Sequence, residues 1–100
     1  MSGPKWSRVT LRCPCPPDIG PELASDIQAE FRSHYPHEHE VTCQYENGQI
    51  VLSSTNDYDP EGLNLSDEFS DVITAYMPRD FDGDIAFVSS VACDATTNDN

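Results

Sequence analysis

Apolar and polar residues alternate from Trp6 to Cys13, with Val9, Leu11 and Cys13 on one side and Arg8, Thr10 and Arg12 on the other. That period predicts a β-strand with one buried face. Pro14, Pro16 and Pro17 then end it, because proline has no N–H to give to a ladder. Asp18 and Gly20-Pro21 mark a helix start, and Ile19, Leu23, Ile27 and Phe31 recur every four residues, which predicts an amphipathic helix reaching Tyr35-Pro36. Two β-rich runs, Val41 to Tyr45 and Ile50 to Ser54, flank Asn47-Gly48. Both turn residues tolerate positive φ, so the runs form an antiparallel hairpin. Asn56 to Gly62 reads as a polar loop. Ser66 is placed to cap a second helix, with Asp67 and Glu68 in its first turn, Phe69, Val72, Ile73 and Tyr76 as its apolar side, and Pro78 as its end. Asp80 to Asp84 turns into a last strand, Ile85 to Val91.

The order β-α-β-β-α-β predicts an α+β domain of the ferredoxin-like split βαβ type. Right-handed crossovers give it a four-stranded antiparallel sheet in the order 4-1-3-2, with both helices on one face. A chain of 100 residues suits a single core. The domain is expected to span residues 6–93, between a flexible N-terminus, 1–5, and a flexible acidic tail, 94–100. The longest apolar runs, Ile50 to Leu52 and Ile85 to Val88, fall far short of the ~20 residues that cross a bilayer. Met1 to Lys5 lacks the apolar stretch and cleavage site of a secretion signal, so a cytoplasmic product is expected.

Charge changes the picture most. Eighteen acidic residues against five basic ones give a formal net charge of −13. Such a chain repels DNA, RNA and anionic membranes and attracts basic proteins. The acids are also patterned. Asp18, Glu22, Asp26 and Glu30 lie four residues apart beside the apolar stripe of the first helix, which sets carboxylates ~6 Å apart along an exposed line. No lysine or arginine stands four residues on to relieve them. A second concentration comprises Asp57, Asp59, Glu61, Asp67, Glu68, Asp71, Asp80, Asp82 and Asp84, with Arg79 the one base among them. With the helices side by side, both groups share the helical face, while Arg8 and Arg12 point to the open face of the sheet.

A line of carboxylates at that interval approximates the phosphates of a nucleic-acid strand, so a groove lined by lysine and arginine would accept it in place of DNA or RNA. The expected function is that of an acidic stoichiometric inhibitor of a basic nucleic-acid-binding protein. In size and charge the chain is similar to phage anti-CRISPR and anti-restriction proteins and to nuclease-toxin immunity proteins. The likeness is one of bulk properties and assigns no residues. An immunity protein that neutralises a basic nuclease toxin, with aromatic anchors such as Tyr58, Tyr76 or Phe81, is the first alternative. A small metal- or ligand-binding domain is the second.

Candidate metal ligands gather in His34-Tyr35-Pro36-His37-Glu38-His39, followed by Cys43, but this is not a regular metal-site spacing. His37, His39 and Cys43 are the residues such a site would use, and no metal or other cofactor is expected. Asp80-Phe81-Asp82-Gly83-Asp84 resembles the front of a calcium loop, yet its glycine comes two positions early and Val91 stands where the glutamate belongs. No catalytic motif such as GxSxG, HExxH or a Walker loop is present, so no enzyme is expected. Cys13, Cys15, Cys43 and Cys93 are expected to be free thiols, with Cys43 at the start of its strand and so at the far end of the sheet from Cys13 and Cys15.

Overall fold

Six elements follow one another along the chain: β1 (Trp6–Pro14), α1 (Gly20–His34), β2 (His39–Glu46), β3 (Gln49–Asn56), α2 (Leu63–Tyr76) and β4 (Ala86–Cys93). The computed structural model describes residues 6–59, 61–76 and 85–93. The expected N-terminal and C-terminal tails, Pro78 and the Asp80–Asp84 turn lie outside them. The strands form one antiparallel sheet in the order β2-β3-β1-β4, a row that reads 4-1-3-2 from the other edge.

Register explains the core. Cys13 stands opposite Ile50, Leu11 opposite Leu52 and Val9 opposite Ser54, while Cys43 faces Leu52 from β2. Alternate residues of a strand point to the same side. These side chains therefore share a face, and they form one buried cluster with Leu23, Ile27 and Phe31 of α1 and Leu65, Phe69, Val72 and Ile73 of α2. Both helices cover the same side of the sheet. Arg8, Thr10 and Arg12 occupy the other. The hairpin turns as its sequence requires, with Asn47 at φ 51° and Gly48 at φ 80°.

The first helix starts without a side-chain cap; Ile19 is the flanking residue and Pro21 supplies the preset φ of the first turn. Gly20 is needed there because the ring of Tyr45 fills the space where a Cβ would go. In contrast, α2 begins ahead of Ser66, the residue expected to cap it. The cap is Asp59. Its Oδ1 accepts the N–H of Leu63 and its Oδ2 that of Leu65, each at 3.0 Å. Asn56 steers the loop into position by accepting the N–H groups of Tyr58, at 3.3 Å, and Asp59, at 3.0 Å. Ser66 lies within the helix, its N–H on the carbonyl of Gly62. The Ser-Asp-Glu pattern resembles a helix start, but a buried carboxylate upstream satisfies the free N–H groups first. Asp59→Ala is expected to lower the unfolding free energy by about 2 kcal/mol in urea titration, near the top of the capping range because the group is buried. An equal loss in Ser66→Ala would put the functional start at Ser66 instead.

The cysteine geometry needs a correction. Cys43 lies in the middle of β2 and not at its start, so it shares the buried face and the same neighbourhood as Cys13 and Cys15. All three are buried, and Cys15 and Cys43 are free thiols. Burial, then the nearby Asp18, raises the Cys15 thiol. Burial, then Cys15, pushes Cys43 up to about 12. Neither is a thiolate at neutral pH, which argues against a nucleophilic role.

Candidate functional site

The acids of the helical layer divide into two kinds. Glu22 and Asp26 on α1 and Asp67 and Asp71 on α2 are exposed, as are Asp18, Asp57 and Glu61 in the loops. Asp18 precedes the first residue of α1, so the helical line of four acids shortens to three. Glu30 is half-buried; one oxygen accepts the Tyr76 hydroxyl at 3.0 Å and the other lies 3.1 Å from His34 Nδ1. Asp59 is buried and both its oxygens serve α2, so it is not available to a partner. Glu68 is held in the cluster described below. Asp80, Asp82 and Asp84 lie outside the described residues.

Asp26 and Asp71 bear on a common seam with Glu30 and Glu68. The Tyr35 phenol is raised by burial and then by Glu68, Asp71 and Glu30. The Tyr76 phenol is raised by its bond to Glu30, then by burial, then by the charges of Glu30 and Asp26. Acids of both helices thus bear on the same seam. Among the described residues, the ion pairs all involve histidine: His34 with Glu30, and His37 with Glu38 and Glu68. Arg32 and Arg8 are engaged elsewhere. Arg32 donates to the Val41 carbonyl, at 3.2 and 3.0 Å. Arg8, on the open face, donates to Thr55, Thr42 and the Glu40 carbonyl. Trp6 meets His39 edge-on beside it, with ring centroids 5.2 Å apart.

The histidine segment folds differently from its sequence pattern. Unbroken alternation would put His39 on the same face as Val41 and Cys43. However, the β2–β3 register slips between His39 and Thr42, with His39 opposite Thr55, Thr42 opposite Ser53, and Glu40 at φ 52°. The extra residue is a β-bulge, and it reverses the alternation ahead of it. His39 therefore turns to the open face, away from the buried Cys43, and His37, His39 and Cys43 do not converge. The same reversal carries Glu38, just ahead of the strand, to the helical side.

Glu38 becomes the centre of a polar cluster that the sequence did not suggest. Its side chain is 0% exposed. Oε1 accepts the Ser54 hydroxyl at 2.5 Å and the Asn56 amide at 2.9 Å, while Oε2 accepts the Tyr58 hydroxyl at 2.8 Å. Glu68 reaches it from α2. Glu68 Oε2 lies 2.6 Å from His37 Nε2, and Glu68 Oε1 is buried with no partner if both carboxyls are ionised. Two carboxylates cannot bond to each other, but a proton on Glu68 makes it a donor to Glu38. The His37 ring stands between Tyr35 and Tyr58, at centroid distances of 6.0 and 5.8 Å.

Electrostatics agree with that reading. Burial pushes the Glu38 carboxyl up, but hydrogen bonds from Ser54, Asn56, Tyr58 and Glu68 together outweigh it and hold the group below its ordinary range. Glu68 is raised to about 7, by burial first and then by its bond to Glu38 and the charge of Glu38, against the opposing pull of His37. Glu38 is thus the ionised partner, and Glu68 holds its proton below about pH 7. The Tyr58 phenol is raised by burial and then by its bond to Glu38.

A carboxyl raised from 4.5 to about 7 stabilises the fold fully below 4.5, and that contribution is lost as pH rises through about 7. Glu38 works the other way, losing its contribution as pH falls through its lowered value. Unfolding free energy is therefore expected to decline from mildly acidic to neutral pH, and Glu68→Gln, which keeps the donor but cannot ionise, should flatten that decline. Denaturant midpoints measured across this window test it; an equal slope in the variant would assign the decline to other groups.

Two further surface features stand apart from this cluster. A shallow groove of about 470 Å³ lies between the start of α1 and β2, lined by Pro21, Ser25, Gln28, Gln44 and Tyr45 among others. Phe87, Val88 and Val91 of the edge strand β4 are exposed. Among the described residues, no helix is long and apolar enough to cross a membrane. Comparison of the chain with protein-family models, with curated proteins and with solved structures finds no match in any of the three.

Proposed function

We propose that this chain is an acidic stoichiometric inhibitor of a basic nucleic-acid-binding protein, docking through its helical layer as a mimic of a nucleic-acid strand. The observation that carries the reading is the exposure of Glu22, Asp26, Asp67 and Asp71 on two helices that cover the same sheet face, with no arginine paired to them among the described residues. Arg8 and Arg12 lie on the opposite face of the sheet, apart from these four acids. The field of such acids speeds encounter with a cationic groove and weakens as salt screens it. Exposed Tyr58 and Tyr76 stand beside the acids as aromatic anchors.

The element order supports reading the domain as a ferredoxin-like split βαβ fold, and the buried free thiols of Cys15 and Cys43 support a cytoplasmic site of action. Phage-encoded anti-CRISPR and anti-restriction proteins represent the class of activity envisaged. The test is capture of the partner from candidate host lysates at low and high salt, followed by competition with DNA or RNA for the purified partner. Displacement of nucleic acid at one chain per site supports the reading. A captured nuclease toxin would point to the immunity alternative, and a partner that binds both the chain and nucleic acid at once would rule out mimicry.

A further inference from the structure

The cluster at the start of β2 holds more than a shared proton requires. His37, Glu38 and Glu68 present one nitrogen and two carboxylate oxygens that all lie within 4.8 Å of one another. His37 Nε2 is 2.6 Å from Glu68 Oε2 and 3.8 Å from Glu38 Oε2. Ligands ~2.1 Å from a tetrahedral ion stand roughly 3.4 Å apart, a spacing these two distances bracket. We propose that His37, Glu38 and Glu68 form a binding site for a divalent transition-metal ion of the zinc class.

Three independent features carry this. The first is the Oε1 of Glu68, a buried oxygen that finds no hydrogen-bond partner. A dication that displaces the proton shared by Glu38 and Glu68 neutralises both carboxylates and adds a bond to the imidazole. The second is the support around Glu38. Its oxygens are oriented by Ser54, Asn56 and Tyr58, the outer hydrogen bonds that hold a ligating carboxylate in place. The third is access: the His37 side chain is 45% exposed, so an ion can enter from solvent and retain water at a remaining position.

The donor set selects the ion class. One imidazole nitrogen and two carboxylate oxygens suit zinc, manganese, iron, cobalt or nickel better than calcium, which takes oxygen ligands in larger number. Two carboxylates also match the charge of a dication. The bulge at Glu40 is what assembles the set, by turning Glu38 toward α2 while sending His39 to the other face.

The test is calorimetric titration of the full-length chain with zinc chloride at neutral pH under reducing conditions, with cobalt(II) as a spectroscopic probe. One ion per chain with micromolar or tighter affinity is expected, and a cobalt spectrum without a sulfur charge-transfer band. His37→Ala and Glu68→Gln should each weaken binding by at least about tenfold, and Tyr58→Phe, which loosens Glu38 without removing a donor, by about tenfold. His39→Ala should bind as the parent does, with folding of every variant verified by circular dichroism. Absence of binding at micromolar zinc, binding that survives both Glu68→Gln and His37→Ala, or a thiolate band in the cobalt spectrum would each overturn the assignment.

Discussion

Replacement of Glu38 by alanine is expected to lower the unfolding free energy by about 3 kcal/mol at neutral pH, measured by chemical denaturation. Hydrogen bonds to a charged group contribute about 1.5–3 kcal/mol each, and Glu38 accepts three, from Ser54, Asn56 and Tyr58. Their gross sum exceeds the expected loss for identifiable reasons. Tyr58 is 43% exposed and its hydroxyl can turn to water. The protein also no longer bears the desolvation of a buried carboxylate. Asn56 has no such outlet: it is 1% exposed, and it also positions the N–H groups of Tyr58 and Asp59. Its loosening should reach the Asp59 cap of α2, so the variant should lose helix signal before the sheet melts. A variant within about 1 kcal/mol of the parent would mean that desolvation cancels the bonds, and the cluster would then have no stabilising role.

Much of the architecture was legible in the residue pattern because its causes are local. Val9, Leu11 and Cys13 alternate, Leu23, Ile27 and Phe31 repeat at helical spacing, and Asn47-Gly48 turns the hairpin; each is a short-range rule acting within a few residues. What the pattern hid depends on contacts across the chain. Asp59 caps α2 only because Asn56, a residue of β3, fixes the loop that carries it. Glu38 is a core residue only because a bulge at Glu40 shifts the phase of β2, and a bulge has no dependable signature when its positive-φ residue is not glycine. The histidine segment shows the consequence. Read as an even strand it groups His37, His39 and Cys43, whereas the folded chain groups His37 with Glu38 and with Glu68 from α2.

The acidic surface was legible in part for the same reason. Composition establishes the excess of carboxylates, but which of them meet solvent is decided by tertiary contacts. Burial takes Asp59 out of the set, the tie to Tyr76 and His34 partly engages Glu30, and the polar cluster absorbs Glu68. A smaller, better-defined group is left at the helical layer, and it makes a sharper experiment than the full list of acids.

Charge reversal of that group, Glu22, Asp26, Asp67 and Asp71 to lysine, is expected to weaken partner binding by about 100-fold or more at low salt while leaving the fold intact. The change removes four exposed negative charges and adds four positive ones, so attraction to a cationic groove turns into repulsion. Loss should appear mainly as slower association, because exposed charges act on the encounter, and the salt dependence of the parent should flatten. Stability should stay within about 0.5 kcal/mol, the range of surface substitutions that touch no buried feature. Reversal of Arg8 and Arg12 to glutamate is the matched control on the opposite face. Its Arg8 arm also breaks bonds to Thr55 and Thr42, so Arg12→Glu alone separates charge from packing. Stopped-flow association with the captured partner over a salt series decides the matter. If lysines on the helices leave the association rate unchanged while Arg12→Glu alters it, the binding face is the open side of the sheet and the acidic layer serves solubility alone.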